Sequence, residues 1–331
     1  MKKAHEEPQT FGFAELRAGQ TKVVIIPALG GKIASLVLGG REWLWRNEAI
    51  PYTTPVDGAS YVETGDTGGY DECFPTIATC TLPSHVARYG GLSLPDHGEL
   101  WSQPTTFTLE TRPEGMYAVS GWMGRRMPYR FARGVFVGND DRVEMRYSVT
   151  NDGAVPLPFV WAAHPLLPLT KQTRLIFPEG TRTRVWAQHG IELGGQGTEL
   201  RWPRAAIRGK LIDFSHPDAV ARSYACMLFL DMPVGCAAVE EDGARLDVTF
   251  DTSQVPHFGL WINRRGWTPF RRKRAYCNFG FEPCIGGAGS LTEALGGWKN
   301  AAWLQPGETR AWRLTWSATR FISDRSPGTG A

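Results

Sequence analysis

Apolar and polar residues alternate along most of the chain with a period of two, which is typical of β-strands that bury one face. The alternation is clearest on both sides of residues 138–141 (GNDD), where it predicts a hairpin of two long strands. A second hairpin is predicted around residues 113–115, and two more strands are predicted to meet at Gly30 and Gly31. Turns that recur about every ten residues predict an all-β protein, a large antiparallel β-sandwich with few short helices.

Helical periodicity is scarce along the chain. Residues 289–301 (GSLTEALGGWKNA) predict one short helix with Ser290 as its N-cap. Residues 41–47 (REWLWRN) are predicted as a strand. Because no linker or repeat divides the sequence, we predict a single domain over residues 1–331, with a flexible tail from about residue 323.

Composition and charge exclude several classes of function. The 331 residues are 42% hydrophobic, enough for a substantial core, and the net charge of +3 gives no reason to expect nucleic acid or a membrane as a partner. The chain has no apolar run of about 18 residues that could span a bilayer. Its N-terminus also lacks the apolar stretch of a secretory signal, so we expect a cytoplasmic protein.

Two of the six cysteines lie in the stretch GGYDECFPTIATC, residues 68–80. By composition alone this stretch could be a metal site, a redox pair or a loop that holds a polar ligand. The sequence has no C-x-x-C pair, so reduced thiols are expected rather than disulfides. It also has no H-x-H or H-E-x-x-H motif, no phosphate-binding glycine loop and no G-x-S-x-G elbow, so we expect no metal and no cofactor.

Three polar residues stand out by their positions: His97 between Pro95 and Gly98 in SLPDHGELW, His164 after an apolar strand in VWAAHPLLP, and Glu282 after another in NFGFEPCIGG. Pro165 and Pro283 are predicted to end their strands, which would place His164 and Glu282 where the strands leave the sheet. Ligand-binding groups often lie at such strand ends. A single histidine or glutamate in this setting is more often structural, but the three together favour a functional site.

Five segments, taken in order, resemble the aldose 1-epimerase (galactose mutarotase-like) superfamily over nearly the whole chain: GGKIASLVLGGREWLW, DHGELW, PLPFVWAAHPLLP, FEPCIGG and LQPGETRAWRLTW. The resemblance implies a β-supersandwich with a sugar site in a cleft of its large sheet. It also implies that the chain is an isomerase that interconverts the anomers of a hexose. By the same resemblance His164 is the general acid, Glu282 the general base and His97 an auxiliary histidine.

These residue types suit the opening of a cyclic hemiacetal. One group must remove the proton of the C1 hydroxyl, and another must deliver a proton to the ring oxygen. We therefore expect Glu282 to be a carboxylate and His164 an imidazolium near neutral pH, because their opposite charges stabilise each other. The chemistry requires no cofactor.

The stretch 68–80 departs from the galactose-type pattern, in which an arginine stands upstream of the first histidine. In its place, Asp71 and Glu72 are predicted either to accept hydrogen bonds from sugar hydroxyls or to be structural loop acids. Trp101 and Trp261 are predicted substrate contacts, because an indole ring packs well against the apolar face of a sugar.

Arginine clusters leave the charge of the sugar open. The clusters are Arg125, Arg126 and Arg130; Arg264 and Arg265; and Arg271 to Arg274. Arginine suits phosphate, sulfonate or carboxylate groups, so the substrate is either a neutral hexose or an anionic one such as a hexose 6-phosphate, a uronate or sulfoquinovose. Arg264 is the predicted contact, and most of the other arginines are expected on the solvated surface.

An alternative function is that of a non-catalytic sugar-binding or sensor protein on the same fold, since fold alone does not determine function. In either case the expected partner is a small sugar, and the protein is expected to be a monomer or a homodimer.

Overall fold

The computed structural model describes residues 11–48, 50–207, 210–220, 222–269 and 276–321. In this part of the chain the strands are β1 (Ala14–Ala18), β2 (Thr21–Ile26), β3 (Lys32–Leu38), β4 (Arg41–Glu42), β5 (Tyr70–Cys73), β6 (Cys80–Thr81), β7 (Ser93–Leu94), β8 (Thr106–Arg112), β9 (Gly115–Met123), β10 (Tyr129–Gly138), β11 (Arg142–Asn151), β12 (Leu157–Phe159), β13 (Trp161–Pro168), β14 (Arg174–Ile176), β15 (Arg182–His189), β16 (Glu199–Arg201), β17 (Arg204–Ile207), β18 (Lys210–Asp213), β19 (Tyr224–Asp231), β20 (Cys236–Glu241), β21 (Ala244–Phe250), β22 (His257–Arg264), β23 (Cys277–Ile285), β24 (Ala302–Leu304) and β25 (Thr309–Arg320). The helical elements are an α-helix, α1 (Leu291–Leu295), and single turns at Tyr61–Gly65, Ala87–Tyr89 and Pro217–Ala219.

Two large antiparallel sheets dominate the described residues. The larger has 13 strands in the order β1-β2-β3-β5-β13-β23-β22-β19-β15-β16-β17-β18, with β4 paired to β3. The smaller has eight, in the order β14-β20-β21-β25-β11-β10-β9-β8, and two short pairs, β12-β24 and β6-β7, lie outside both. The predicted all-β class with few short helices is therefore confirmed.

Aromatic side chains pack one face of the large sheet against the small sheet. The ring of Tyr70 meets that of Trp316 with centroids 6.0 Å apart, and the rings of Trp161 and Trp312 are 4.8 Å apart. Because successive side chains of a strand point to opposite faces, the residues beside Tyr70 and Trp161 in sequence face away from this core. The central strands of the large sheet thus have a second face available for a site.

Several predicted local elements are confirmed. The hairpin at residues 138–141 joins β10 to β11, and the hairpin at residues 113–115 joins β8 to β9. Helix α1 begins after Ser290, whose side chain accepts a hydrogen bond from the Glu293 backbone N–H at 3.2 Å. The predicted strand 41–47 is wrong beyond Glu42, because the chain leaves β3 there and the backbone N–H of Trp45 bonds to the carbonyl of Leu166 instead, at 2.7 Å.

The two prolines do not end their strands as predicted. Strand β13 continues through Pro165 to Pro168, and β23 continues through Pro283 to Ile285. The paired residues of these strands skip from Ala162–Cys284 to Leu166–Gly280, and both prolines fall within the skipped stretch. A proline has no N–H to give to the ladder, so the prolines interrupt the pairing locally while the strands continue.

No helix in the described residues is long and apolar enough to cross a membrane. The cysteines are free thiols, with Cys73, Cys226 and Cys284 buried and Cys236 exposed. The single domain over residues 1–331 stays a prediction, and its tail from about residue 323 lies outside the described residues.

Candidate active site

Three neighbouring central strands of the large sheet place Asp71, His164 and Glu282 in one row. Asp71 on β5 is the register partner of His164 on β13. The pairs Ala162–Cys284 and Leu166–Gly280 put His164 opposite Glu282 on β23. Directly opposed residues share a face, so the three side chains lie on the face away from the small sheet. The shortest His164–Glu282 separation joins Nε2 to Oε1 at 3.8 Å.

A loop after β7 brings His97 over this row. The backbone of His97 has φ of 57°, a left-handed value that is uncommon for a residue with a side chain. Gly98 follows with φ of 72°, and a Cβ at this position would overlap the carbonyl oxygen of Phe74. The motif HG therefore fixes the ring of His97, whose centroid lies 4.9 Å from that of His164. Asp96 accepts a hydrogen bond from His97 Nδ1 at 2.9 Å.

At the Asp71 end of the row, a buried network links Lys32, Asp71 and Tyr61 to His164. The Lys32 ammonium donates to Asp71 Oδ2 and also to the carbonyl of Gly68, the latter at 2.9 Å. The Tyr61 hydroxyl donates to the same Asp71 oxygen at 2.7 Å, and its oxygen lies 3.5 Å from His164 Nδ1. Asp71 therefore binds Lys32 and Tyr61 beside His164, and its side chain does not line the cavity.

The open side of the row is a cavity of about 320 Å³. Aromatic side chains form much of its wall, and a few polar groups stand among them, the arrangement usual for small-molecule sites. Besides His97, His164 and Glu282, the lining side chains include Trp186, Phe229, Trp261, Trp267, Tyr276 and Asn278. Its volume is of the order needed for a small sugar.

Glycines leave the Glu282 carboxyl group uncrowded within the sheet. A Cβ at Gly280, two residues earlier on β23, would overlap Glu282 Oε1. A Cβ at Gly259, the register partner of Glu282 on β22, would lie 3.1 Å from Oε2. Oε2 is buried and has no hydrogen-bond partner among the described residues. A ligand hydroxyl in the cavity would satisfy this oxygen.

Burial reverses the charges that the sequence predicts for the pair. It raises the pKa of Glu282 to about 8, an effect that the nearby His97 opposes. Burial also lowers the pKa of His164 well below its usual value, and the positive charges of His97 and Lys32 lower it further. The expectation of a Glu282 carboxylate and a His164 imidazolium is therefore wrong for the free protein, where the proton of the pair rests on Glu282 near neutral pH.

His97 has the opposite tendency. Burial alone would lower its pKa, but the carboxylate of Asp96 beside Nδ1 raises the pKa above its usual value. Of the two histidines, His97 is therefore the one that more readily carries a positive charge.

Among the predicted substrate contacts, only Trp261 lies on the cavity wall. Asp71 and Trp101 line a separate pocket of about 110 Å³ together with Lys32. The Trp101 indole N–H donates to the carbonyl of Asp96 at 2.9 Å. Asp71 and Trp101 therefore support the residues of the site rather than face the cavity.

The structure corrects the predictions for Glu72 and Arg264. Glu72 points to the other face of β5 from Asp71, into the core, where its carboxylate lies 3.1 Å from the Arg133 guanidinium. Arg264 lies outside the cavity, and its guanidinium Nε donates to Asp218 at 2.8 Å. Strand alternation gives Glu72 the structural role, the other alternative that the sequence left open, and a carboxylate on the turn Pro217–Ala219 holds Arg264 outside the cavity.

Among the described residues of the remaining arginine clusters, none lines the cavity. Arg126 pairs with Asp57 at 2.9 Å, and Arg130 pairs with Asp152 at 2.7 Å. Arg271 to Arg274 lie outside the described residues. Of the described residues that line the cavity, none is lysine or arginine.

One cluster in the described residues could hold a metal ion. The ligand atoms of Cys73, His97 and His164 lie within 4.8 Å of one another. Burial raises the pKa of the Cys73 thiol well above its usual value, and the nearby acidic side chains of Glu282 and Asp71 raise it further, so the thiol is protonated. A neutral thiol is a poor ligand for a cation.

The sequence did not point to several residues of this site. Tyr61 and Lys32 carry no motif, and they meet the histidines only because β3 and the turn at Tyr61–Gly65 fold beside β5. Trp186 and Trp267 were among many tryptophans with no feature to separate them. Of the stretch 68–80, the part that reaches the cavity wall is Ile77 and Ala78 rather than its acids.

No protein-family model matches this sequence, and neither does any curated protein. Solved structures of low sequence identity do match its fold. Slr1438 from Synechocystis sp. PCC 6803 has a TM-score of 0.67 at 14% identity, with 97% of this chain and 100% of that chain covered. The GalM/aldose epimerase homologue from C. elegans has a TM-score of 0.66 at 12% identity, with 95% and 100% covered.

A galactose mutarotase-like protein from Lactobacillus casei has a TM-score of 0.63 at 15% identity, with 93% of this chain and 100% of that chain covered. The chain therefore has the galactose mutarotase-like fold that the sequence resemblance implies.

Proposed function

We propose that this chain is an aldose 1-epimerase, or mutarotase, that interconverts the α and β anomers of a hexose. The observation that carries the proposal is the pair of Glu282 and His164, with Oε1 and Nε2 3.8 Å apart, on the wall of a partly enclosed cavity. The galactose mutarotase-like fold supports the same function. A sugar-binding module would need no such pair of proton-transfer groups.

The pair supplies both proton transfers of ring opening. One member takes the proton of the anomeric hydroxyl while the other delivers a proton to the ring oxygen, and the C1–O5 bond breaks to give the open aldehyde. After rotation about C1–C2 the two transfers run in reverse and the other anomer forms. The pair ends with the one proton with which it began, so no co-reactant is consumed.

The proton starts on Glu282 because burial raises the pKa of that carboxyl group to about 8 and lowers the pKa of His164. The roles implied by the family resemblance, Glu282 as base and His164 as acid, need the proton on His164 instead. The pair reaches that state by moving one proton between Oε1 and Nε2. His97, whose pKa is raised by Asp96, adds a positive charge that stabilises negative charge developing on a sugar oxygen.

The described wall of the cavity supports an uncharged hexose. It contains indole and phenol rings for the apolar face of the sugar, and Asn278 can bond to hydroxyl groups. An anionic sugar would be expected to meet an arginine or lysine, and no residue in the described part of the wall is of either type.

Exchange NMR between anomers tests the function across neutral, phosphorylated, carboxylated and sulfonated hexoses. We expect exchange above the uncatalysed rate, faster for a neutral hexose than for its anionic analogues. Glu282→Gln and His164→Ala should each lower kcat by about 10²–10⁴-fold, which is the usual contribution of a placed acid or base. His216→Ala and Glu240→Gln change the same residue types outside the cavity and should leave the rate unchanged.

Three results would count against the proposal. Near-normal turnover by either cavity variant would remove the acid–base assignment. A preference for an anionic hexose would remove the neutral-substrate assignment. Silence on the whole panel, with sugar binding retained, would favour a non-catalytic sugar-binding protein.

A further inference from the structure

Tyr61 lies between the acid–base pair and a buried ion pair. Its hydroxyl hydrogen is donated to Asp71 Oδ2 at 2.7 Å, and the same carboxylate is bonded to the ammonium group of Lys32. Side chains of all three residues are buried. A phenol has a single hydrogen, so the hydrogen of Tyr61 is committed to Asp71.

The oxygen of Tyr61 can therefore only accept a hydrogen bond from His164. It lies 3.5 Å from His164 Nδ1, a long separation of the kind that shortens when a substrate fills a site. Acceptance at this oxygen requires the hydrogen of the neutral imidazole to be on Nδ1. The lone pair is then on Nε2, which is the atom 3.8 Å from Glu282 Oε1.

Ring packing fixes the direction of the Tyr61 hydroxyl. His97 stacks on Tyr61 with centroids 4.0 Å apart and an interplanar angle of 18°. The rings of Trp101 and His164 meet Tyr61 edge-on, with centroids 5.2 Å and 5.6 Å away. With three rings around it, the phenol cannot swing away from Asp71 without repacking the site.

We propose that Tyr61 is a positioning residue, which keeps the hydrogen of neutral His164 on Nδ1 and so presents the Nε2 lone pair to the cavity. Asp71 and Lys32 hold Tyr61 in this state. The arrangement is that of a base oriented by a third group. The consequence for turnover rests on the proposed function, but the tautomer itself is a property of the free protein.

Imidazole ¹⁵N NMR of the free protein at pH 7 tests the tautomer directly. The resonances of His164 are assigned by their loss in His164→Gln. We expect the hydrogen on Nδ1 in the wild type, and a mixture of the two tautomers in Tyr61→Phe. Tyr129→Phe is the matched control, because Tyr129 also donates to a buried carboxylate, Glu99 Oε2 at 2.7 Å, but lies outside the cavity.

Turnover gives a second readout. In Tyr61→Phe we expect kcat to fall at least about tenfold with KM little changed, as when a group that orients a reactive side chain is removed. A wild-type resonance with the hydrogen on Nε2, or an unchanged His164 spectrum in Tyr61→Phe, would overturn the positioning role whether or not a sugar is turned over. If the tautomer changes in Tyr61→Phe but the wild-type protein turns over no sugar, the positioning role of Tyr61 is supported and the mutarotase function is rejected.

Discussion

The protonation of each titratable group in the site is set by its burial or by a specific neighbouring side chain. Glu282 and His164 are both buried, and burial favours the neutral form of each. Near neutral pH the pair therefore holds one proton, and this proton is on Glu282. His97 differs because Asp96 compensates its burial. The site thus separates a neutral proton-transfer pair from a histidine whose positive form is favoured by Asp96.

The state of Glu282 predicts the pH dependence of turnover. A pair with one proton is needed, and Glu282 loses that proton as pH rises through its pKa of about 8. We expect kcat/KM, after subtraction of the uncatalysed rate, to be level from neutral pH to about 8 and then to fall about tenfold per pH unit. Anomer exchange measured between pH 6 and 10 checks this.

His97 also titrates near the cavity, so the alkaline limb needs an independent assignment. A ¹³C titration of the Glu282 carboxyl group, assigned by its loss in Glu282→Gln, should give the same midpoint as the limb. A carboxyl that titrates near its unperturbed value of about 4.3, with activity level to pH 10, would contradict the prediction.

At the residue scale, the sequence located His164 and Glu282 as polar groups after apolar strands. It located His97 by its place between Pro95 and Gly98 and by the segment DHGELW. It could not separate Asp71 from Glu72. In the run YDEC (Tyr70–Cys73) two consecutive residues are acidic. Side chains of a strand alternate between its two faces, but the sequence does not say which of the two acids faces the core. The structure shows which face each acid takes: Asp71 lies on the face of the site, and Glu72 faces Arg133 in the core.

At the scale of elements, β22 and β23 hold the Glu282 carboxyl group in a gap between glycines. Glycine in a strand usually weakens it and often marks a close approach of another group. Here that group is a side chain of the same sheet, since a Cβ at Gly280 or Gly259 would press on the Glu282 oxygens.

Gly280→Ala is therefore expected to displace the carboxyl group. A misplacement of about 1 Å in a reacting group can cost about 10²-fold in rate, so we expect kcat to fall by that order. Circular dichroism should show an unchanged sheet. Gly297→Ala is the control, because a Cβ there has open space around it, and its kcat should equal that of the wild type. Equal rates for the two variants would show that the gap is not needed.

Element boundaries were harder to predict than element types. Pro165 and Pro283 are strong strand breakers in a sequence, yet both lie inside central strands. They are tolerated because both lie in the one stretch of this strand pair where the pairing skips from Ala162–Cys284 to Leu166–Gly280. Whether two prolines share such a stretch depends on the register between strands that are more than 100 residues apart in sequence. Local sequence patterns do not contain this information.

At the scale of the whole molecule, a buried ion pair ties the two sheets together. Arg133 of the small sheet donates to Glu72 of the large sheet at 3.1 Å, and the Trp161 indole N–H donates to the same carboxylate at 2.9 Å. Burial raises the pKa of Glu72 to about 7, while Arg133 opposes the shift. Burial is therefore the stronger of the two effects on Glu72, and the pair is costly to break from one side.

Glu72→Ala leaves the Arg133 guanidinium buried without its carboxylate, so we expect a loss of about 3–5 kcal/mol in the free energy of unfolding, measured in urea. Glu144→Ala breaks partly exposed ion pairs and should cost less than about 1 kcal/mol. Replacing both partners, as Glu72→Leu with Arg133→Met, should recover most of the loss, because no buried charge is left unpaired. KM for the sugar should stay at the wild-type value in the double variant. A raised KM with unchanged stability in Glu72→Ala would instead assign Glu72 to the sugar site, which is one of the two roles that the sequence left open for it.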